Sequence, residues 1–420
     1  MVTTGIYCRP GCSAKPLAEN VRTFELAAGA EAAGFRACLR CRPYRVAGPV
    51  APGAPELVCR AVQLIIDGVL DTGPETALGA RLAVSPRHLR RIFTGHLGVT
   101  PDQLARSRRA HFARRLLDDT DLTVADVAYA SGFASIRQFN RQMREVFKAS
   151  PRELRDRRRR ADRLTADGGL TMRLPFQPPL DWEARAAFFA GLAVPGVESV
   201  SGRVYRRTIS LDGAPGVLEV HPGGADHLLL RAHLPYWEGL IHVAERAGRM
   251  VGADADPAVR APGTWGPFEA AVQAIVAQEC DDPGEARRQL GGIVQRFGPR
   301  VPGLTHGLTH LFPSAELLAA GDLADLDLPP ATAKNLAALA ADVASGNIVL
   351  DHAVRRADLI TSLTTVTGIQ PATAHQIALR LGHQEPARSK PAGEEHNSAD
   401  GRAPGARHPI LHGHRQHPIR

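Results

Sequence analysis

Four cysteines within the first 41 residues constrain this chain more than any other feature. Three residues separate Cys8 from Cys12, two separate Cys38 from Cys41, and 25 lie between the pairs. Each short spacing lets two thiolates from one turn reach a single ion, and two such knuckles complete a tetrahedron of soft sulfur ligands suited to Zn2+. The segment has few large apolar residues (Ile6, Leu17, Val21, Phe24, Leu26, Phe35, Leu39), so bound metal would supply much of its folding energy. Two disulfides are the alternative pairing. Met1 to Gly5 shows neither a basic n-region nor an apolar stretch, so a reducing, cytoplasmic setting is expected, which favours zinc. Cys59 and Cys280 stand apart and read as small buried apolar residues. No run approaches the ~20 apolar residues of a membrane span, so no membrane partner is expected.

Beyond a Pro/Gly-rich linker at 46–55, the chain repeats itself at a spacing of fifty. Ser85, Arg87, Leu89, Arg91, Leu97, Thr100, Pro101 and Leu104 align with Ser135, Arg137, Phe139, Arg141, Phe147, Ser150, Pro151 and Leu154. Each copy predicts an amphipathic helix opened by a serine N-cap and closed before a proline. A shorter helix and a tight turn precede each one, at Glu75 to Leu82 and at Val124 to Ala130. Helix, turn, basic helix is the layout that places a second helix in the DNA major groove. Arg pairs with guanine and Gln with adenine. Arg137, Gln138 and Arg141 are therefore the candidate base readers, with Arg87, His88 and Arg91 their counterparts in the first copy. A continuous helix from Leu104 to Leu117 would join the units and set both reading helices on one side of the duplex. Charge agrees with a polyanion partner at this end. Residues 1–165 carry 28 Lys and Arg against 16 Asp and Glu, while the remainder carries 23 against 27.

Two resemblances follow from these residues. Thr3-Thr4-Gly5-Ile6-Tyr7-Cys8-Arg9-Pro10-Gly11-Cys12, Glu19-Asn20-Val21 and the run Ala32 to Pro43 resemble the N-terminal zinc module of Ada-type DNA alkylation sensors. The resemblance implies that all four cysteines ligate zinc and that Cys8 takes the methyl group of a DNA methylphosphotriester, once per molecule. The match begins almost at Met1, so either the true start lies upstream or the module is truncated at its N-terminal side. Ala130-Ser131-Gly132-Phe133 and Phe147-Lys148-Ala149-Ser150-Pro151 resemble the AraC-type DNA-binding domain over 56–156, which implies promoter DNA as partner and RNA polymerase as a further one. Arg152, Arg155, Arg157 to Arg160 and Arg163 then form a basic exit segment suited to phosphates.

From Leu170 onward short strand-like segments appear at Arg203 to Leu211, Gly216 to His221 and His227 to His233, with a helix at Trp182 to Ala193. Helices are then predicted at Trp237 to Met250, Pro267 to Cys280, Pro283 to Phe297, Ser314 to Gly321, Pro330 to Ser345, Asp351 to Thr365 and Pro371 to Gly382. Leu170 to Pro175, Pro195 to Glu198 and Tyr205 to Thr208 resemble the N-terminal domain of inducible 3-methyladenine DNA glycosylases of the AlkA type. Pro262 to Trp265, Phe268-Glu269, Leu308 to Pro313 and Val366 to Ile369 resemble their helix-hairpin-helix domain. These enzymes flip a damaged purine out of the stack and cleave its glycosidic bond. The resemblance implies DNA phosphate contacts from the hairpin at Gly368 and Ile369.

Several parts depart from that pattern. The hairpin reads Gly368-Ile369-Gln370 where a second glycine is usual. Ala372 stands where the family has tryptophan, and Ala277-Gln278-Glu279-Cys280 brings a carboxylate toward the DNA stack. Asp256 to Arg260 runs into Ala261-Pro262-Gly263 about twenty residues early. The family's catalytic aspartate is not found. Its position falls near Ala392, and no Asp follows Arg380 until Asp400. Without that carboxylate the main electrostatic contribution to catalysis is missing. From His383 the Pro, Gly, Arg and His-rich sequence predicts a disordered tail.

The expected protein is therefore multidomain. A small zinc-bound α+β module spans 1–45, and an all-α double helix-turn-helix spans 56–156. A basic linker (157–169), an α+β domain (170–236), an incomplete all-α helix-hairpin-helix domain (237–382) and a disordered tail (383–420) follow. The expected function is an alkylation-responsive methyl acceptor and transcription regulator. An active 3-methyladenine glycosylase, or a DNA-binding regulator without enzyme activity, are its alternatives.

Overall fold

The computed structural model describes residues 1–14, 16–46, 54–165, 168–253, 263–280, 282–365, 369–383 and 411–415. The N-terminal segment folds as β1 (Gly5–Cys8), β2 (Arg22–Phe24), α1 (Ala27–Ala32) and β3 (Arg36–Ala37), with a 3-10 turn at Pro43–Arg45. β1 and β3 pair in parallel, with Ile6 opposite Arg36 and Tyr7 opposite Ala37.

Eight helices follow: α2 (Glu56–Ile66), α3 (Val69–Thr72), α4 (Glu75–Arg81), α5 (Pro86–Leu97), α6 (Pro101–Asp119), α7 (Val124–Ala130), α8 (Ile136–Phe147) and α9 (Pro151–Asp156). Both reading helices start where the serines predict. Ser85 Oγ accepts from the His88 N–H and Ser135 Oγ from the Gln138 N–H. Leu89, Phe93 and Leu97, like Phe139, Met143 and Phe147, are buried beneath them. The two turns differ. Ala83 takes φ +56°, whereas Gly132 takes φ +78° beside the Asp71 carboxylate, where a Cβ would collide. Reciprocal Thr100–Gln103 capping opens α6, whose nineteen residues extend roughly 28 Å. The basic exit segment is helical only over α9, with a 3-10 turn at Arg160–Asp162.

The remainder begins with β4 (Leu170–Pro175), α10 (Trp182–Leu192), β5 (Glu198–Ser201), β6 (Val204–Leu211), β7 (Ala214–Pro222) and β8 (His227–His233). These strands form one antiparallel sheet in the order β4-β8-β7-β6-β5. Then come α11 (Leu240–Val251), α12 (Pro267–Gln278), α13 (Pro283–Phe297), α14 (Ala315–Ala319), α15 (Pro330–Ala344), α16 (Arg356–Thr365) and α17 (Pro371–Arg380). The helix expected from Asp351 starts five residues late. Asp351 Oδ1 instead accepts from the Ala353 N–H in a turn that Arg60 clasps through the carbonyls of His352 and Ala353. Cys59 and Cys280 are half-buried rather than buried, their thiols directed at the Ala54 carbonyl and Gln289.

The tail departs from expectation at two places. His383 is buried and its ring packs 5.6 Å from that of His352. Leu411–Arg415 forms β9, antiparallel to β1 and to β2, and fills the gap between them. The hydrogen-bonding edges of β1 and β2 are a template for any extended segment, whatever its composition. The other tail residues lie outside the described ones.

Among the described residues three apolar cores form, and they cut across the segments read from sequence. Tyr7, Phe35 and Tyr44 share one core with Phe112 of α6, Phe147 of α8, and Met172 and Leu230 of the sheet. The first helix-turn-helix has its own core, and α12 to α17 form a third.

Candidate metal centre and DNA interface

The parallel pairing of β1 with β3 creates the cysteine site. Cys8 ends β1 and Cys38 follows β3, so the register that opposes Tyr7 to Ala37 places both knuckles at one end of the sheet. The Cys38 N–H donates to the Tyr7 carbonyl at 3.0 Å, and the Cys12 N–H to the Arg9 carbonyl at 3.3 Å, closing the first knuckle. The ligand atoms of Cys8, Cys12, Cys38 and Cys41 all lie within 4.8 Å of one another, and no disulfide joins them. Thiols this close cannot all ionise unaided. Hydrogen bonds from Cys41 and Cys8 pull Cys38 far down, while the bond to Cys38 drives Cys8 far up and Cys41 up to about 12. A divalent cation removes that conflict, and four sulfurs with no oxygen donor fit zinc. Cys8 is 2% exposed, whereas the other three are half-buried.

Residues beside these cysteines tie the site to α6. Tyr7 Oη donates to Glu31 at 2.6 Å, and His111 Nε2 of α6 lies 2.6 Å from the same carboxylate oxygen. Burial, then Glu31, holds the Tyr7 hydroxyl well above the usual phenol range. On the other knuckle, Arg42 reaches Asp162 at 2.7 Å and Arg45 reaches Asp118 at 2.9 Å. Tyr44 donates to Asp118 at 3.0 Å, and its ring meets the edge of Phe147. Asp118 and Asp119 are fully buried at the end of α6, and Arg114 and Arg173 complete their pairing. Of these residues, Glu31, Tyr44, Arg45, His111, Arg114, Asp118, Asp119 and Asp162 were not singled out from the sequence. The one local hint is Arg42-Pro43-Tyr44-Arg45, an aromatic ring between two arginines directly after a metal knuckle.

The expected base readers occupy both second helices. Arg87 and Arg91 are exposed on α5 and His88 is half-buried, its Nδ1 3.2 Å from Arg91 Nη2. On α8, Arg137 and Arg141 are exposed, while the Gln138 side-chain oxygen accepts from the Ala134 N–H at 3.3 Å and so caps its own turn. In the helical part Ile369 is buried in the third core. Gly368 lies outside the described residues, as do the Asp256 to Arg260 stretch and the position near Ala392.

Comparison with known proteins fits this layout. A profile described as the metal binding domain of Ada matches residues 1–44, a helix-turn-helix domain matches 78–157, and an AlkA N-terminal domain matches 171–261. The chain is 36% identical over 410 residues to a Mycobacterium tuberculosis protein named "Probable bifunctional transcriptional activator/DNA repair enzyme AlkA", spanning 90% of this chain and 81% of that one. It is 32% identical over 155 residues to the bifunctional transcriptional activator/DNA repair enzyme Ada of Escherichia coli, covering 36% of this chain and 42% of that one. Among solved structures, a 3-methyladenine DNA-glycosylase from Archaeoglobus fulgidus aligns with a TM-score of 0.43 at 21% identity, over 50% of this chain and 79% of that one. No described helix is long and apolar enough to cross a membrane.

Proposed function

The chain belongs to the family of bifunctional transcriptional activator/DNA repair enzymes, and on that premise we propose that it senses DNA alkylation with Cys8 and answers it at promoters through α5 and α8. The carrying observation is the convergence of four cysteine sulfurs on a sheet whose neighbouring side chains are bonded to α6, the helix between the two reading units. Bound zinc holds cysteine ligands as thiolates at neutral pH. The Cys8 sulfur then bonds to the methyl carbon of a DNA methylphosphotriester as the carbon–oxygen bond breaks. The electron pair stays on the phosphate oxygen, and Cys8 becomes a neutral thioether. The protein surface thereby loses one negative charge next to a polyanion, and its DNA affinity rises.

Cys8 must be uncovered for this step. RNA polymerase is the partner assigned to activation, and the cytoplasm the place of action. In the test, protein is incubated with DNA carrying methylphosphotriesters and peptides are mapped by mass. One methyl per chain is expected, on the peptide bearing Cys8, and Cys8→Ser should abolish it. Zinc-loaded protein that takes up no methyl would reduce the site to a structural role.

A second function, DNA-3-methyladenine glycosylase, is favoured by the AlkA N-terminal match over 171–261. Against it stands the sequence after Arg380, which offers no aspartate before Asp400. We expect alkylated DNA incubated with this protein to release no free 3-methyladenine above background by chromatography. Measurable turnover would establish the glycosylase instead.

A further inference from the structure

Where the cysteine segment, α6 and the sheet meet, three guanidinium groups converge. Arg45 follows the second knuckle, Arg115 projects from α6 and Arg173 from β4. With Asp119, Asp226 and His227 they line a cavity of about 110 Å3. That is room enough for a tetrahedral oxyanion.

The charges around the cavity do not balance. Among the described residues, Arg42, Arg45, Arg114 and Arg173 pair with Asp118, Asp119 and Asp162, and the lining adds one further carboxylate, Asp226. Arg173 holds Asp119 at 2.5 Å, with Arg45 3.4 Å from the same oxygen. Arg115 adds a further positive charge. Among the described residues no hydrogen bond or ion pair reaches it, and its guanidinium lies over the Phe112 ring. The nearby Glu245 is held by Arg108 at 2.9 Å. The Nε atoms of both Arg45 and Arg115 are buried without a hydrogen-bond partner. Burial pulls Arg115 below the usual guanidinium range, and the carboxylates of Glu245 and Asp119 offset only part of that shift. At the mouth, the Asp226 carboxylate is 2.8 Å from His227 Nδ1.

We propose that this cavity binds one oxyanion of the phosphate class, with Arg115 as its principal ligand and Arg45 and Arg173 beside it. A planar guanidinium suits this role because its fork matches two oxygens of a tetrahedral anion. The walls come from three separate stretches of chain, so the anion fastens the cysteine segment and the sheet to α6. It comes either from free phosphate or from a phosphodiester of bound DNA.

Two measurements on the full chain separate these sources. In the first, inorganic phosphate is titrated calorimetrically at constant ionic strength, with chloride as control. One saturable site per chain is expected. Arg115→Met should weaken it at least tenfold, and Arg115→Lys less. Asp226→Asn, which removes an exposed carboxylate at the mouth, should tighten it. In the second, duplex DNA affinity is followed against salt. If the anion is a backbone phosphate, Arg115→Met lowers the magnitude of the salt slope by about one contact and free phosphate does not bind. The proposal fails if phosphate does not saturate a site and the salt slope is unchanged. It also fails if Arg115→Met and Asp226→Asn bind phosphate as the parent does. Arg115→Met removes an unpaired cation, so it should fold, and the Asp226→Asn arm decides the matter if it does not.

Discussion

Glu269→Ala should destabilise the C-terminal half by about 3–5 kcal/mol, the cost of leaving a buried ion without its partner. Arg207 of β6 is 1% exposed and is held by Glu269 of α12 at 2.8 Å and by Glu198 at 3.1 Å, with the Trp265 ring 5.4 Å from its guanidinium carbon. Burial pushes the Glu269 carboxyl up and Arg207 opposes that shift. The pair joins the sheet to the helical core, so its loss should loosen both. Tryptophan fluorescence during urea unfolding is the measurement, since Trp265 packs on the pair. Glu269→Gln should cost less because an acceptor remains. The double replacement Arg207→Met with Glu269→Leu should recover most of the loss, because apolar side chains of similar volume remove the desolvation penalty. An unchanged midpoint in Glu269→Ala would mean that water reaches Arg207.

Removing metal should have the second large effect. Structural zinc contributes about 10–16 kcal/mol to short zinc-binding peptides, and this cysteine segment has little else of its own. A chelator, or Cys38→Ser, should empty the protein of zinc and open residues 1–46 to proteolysis. The damage should not stop there. Tyr7, Phe35 and Tyr44 pack in one core with Phe112 and Phe147, so α8 should lose order as well and DNA affinity should fall. If the first 46 residues resist protease equally with and without metal, the shared core rather than the ion supports them.

What the sequence showed, it showed through local signals. α7 and α13 have the limits expected of them, and the structure caps the first with Thr123 and Asp126 and the second with Asp282. The cysteine spacing identified all four sulfurs that the fold brings together. The serine N-caps fixed the start of both reading helices, although Gln138 is turned inward onto its own turn. The missing parts depend on distance along the chain. Arg45 and Asp118 are 73 residues apart, and Arg207 and Glu269 are 62 apart, so no window around either residue reveals its partner. Charged side chains read as surface unless a partner is known, and here they form the joints between segments. β9 was missed because its composition is that of a tail. Only the open edges of β1 and β2 give it a place.

The nineteen-residue α6 has one more consequence. A flexible tether between two reading heads would let them settle on binding sites at many separations. A stiff strut does not. The strut sets the stride, so if α5 and α8 both read DNA, as proposed, the two half-sites are expected at the spacing that this helix dictates. The cysteine site is joined to the same strut through His111 and Asp118. The cysteine site and the two basic helices therefore share one mechanical part, and on the proposed function neither can shift without the other feeling it.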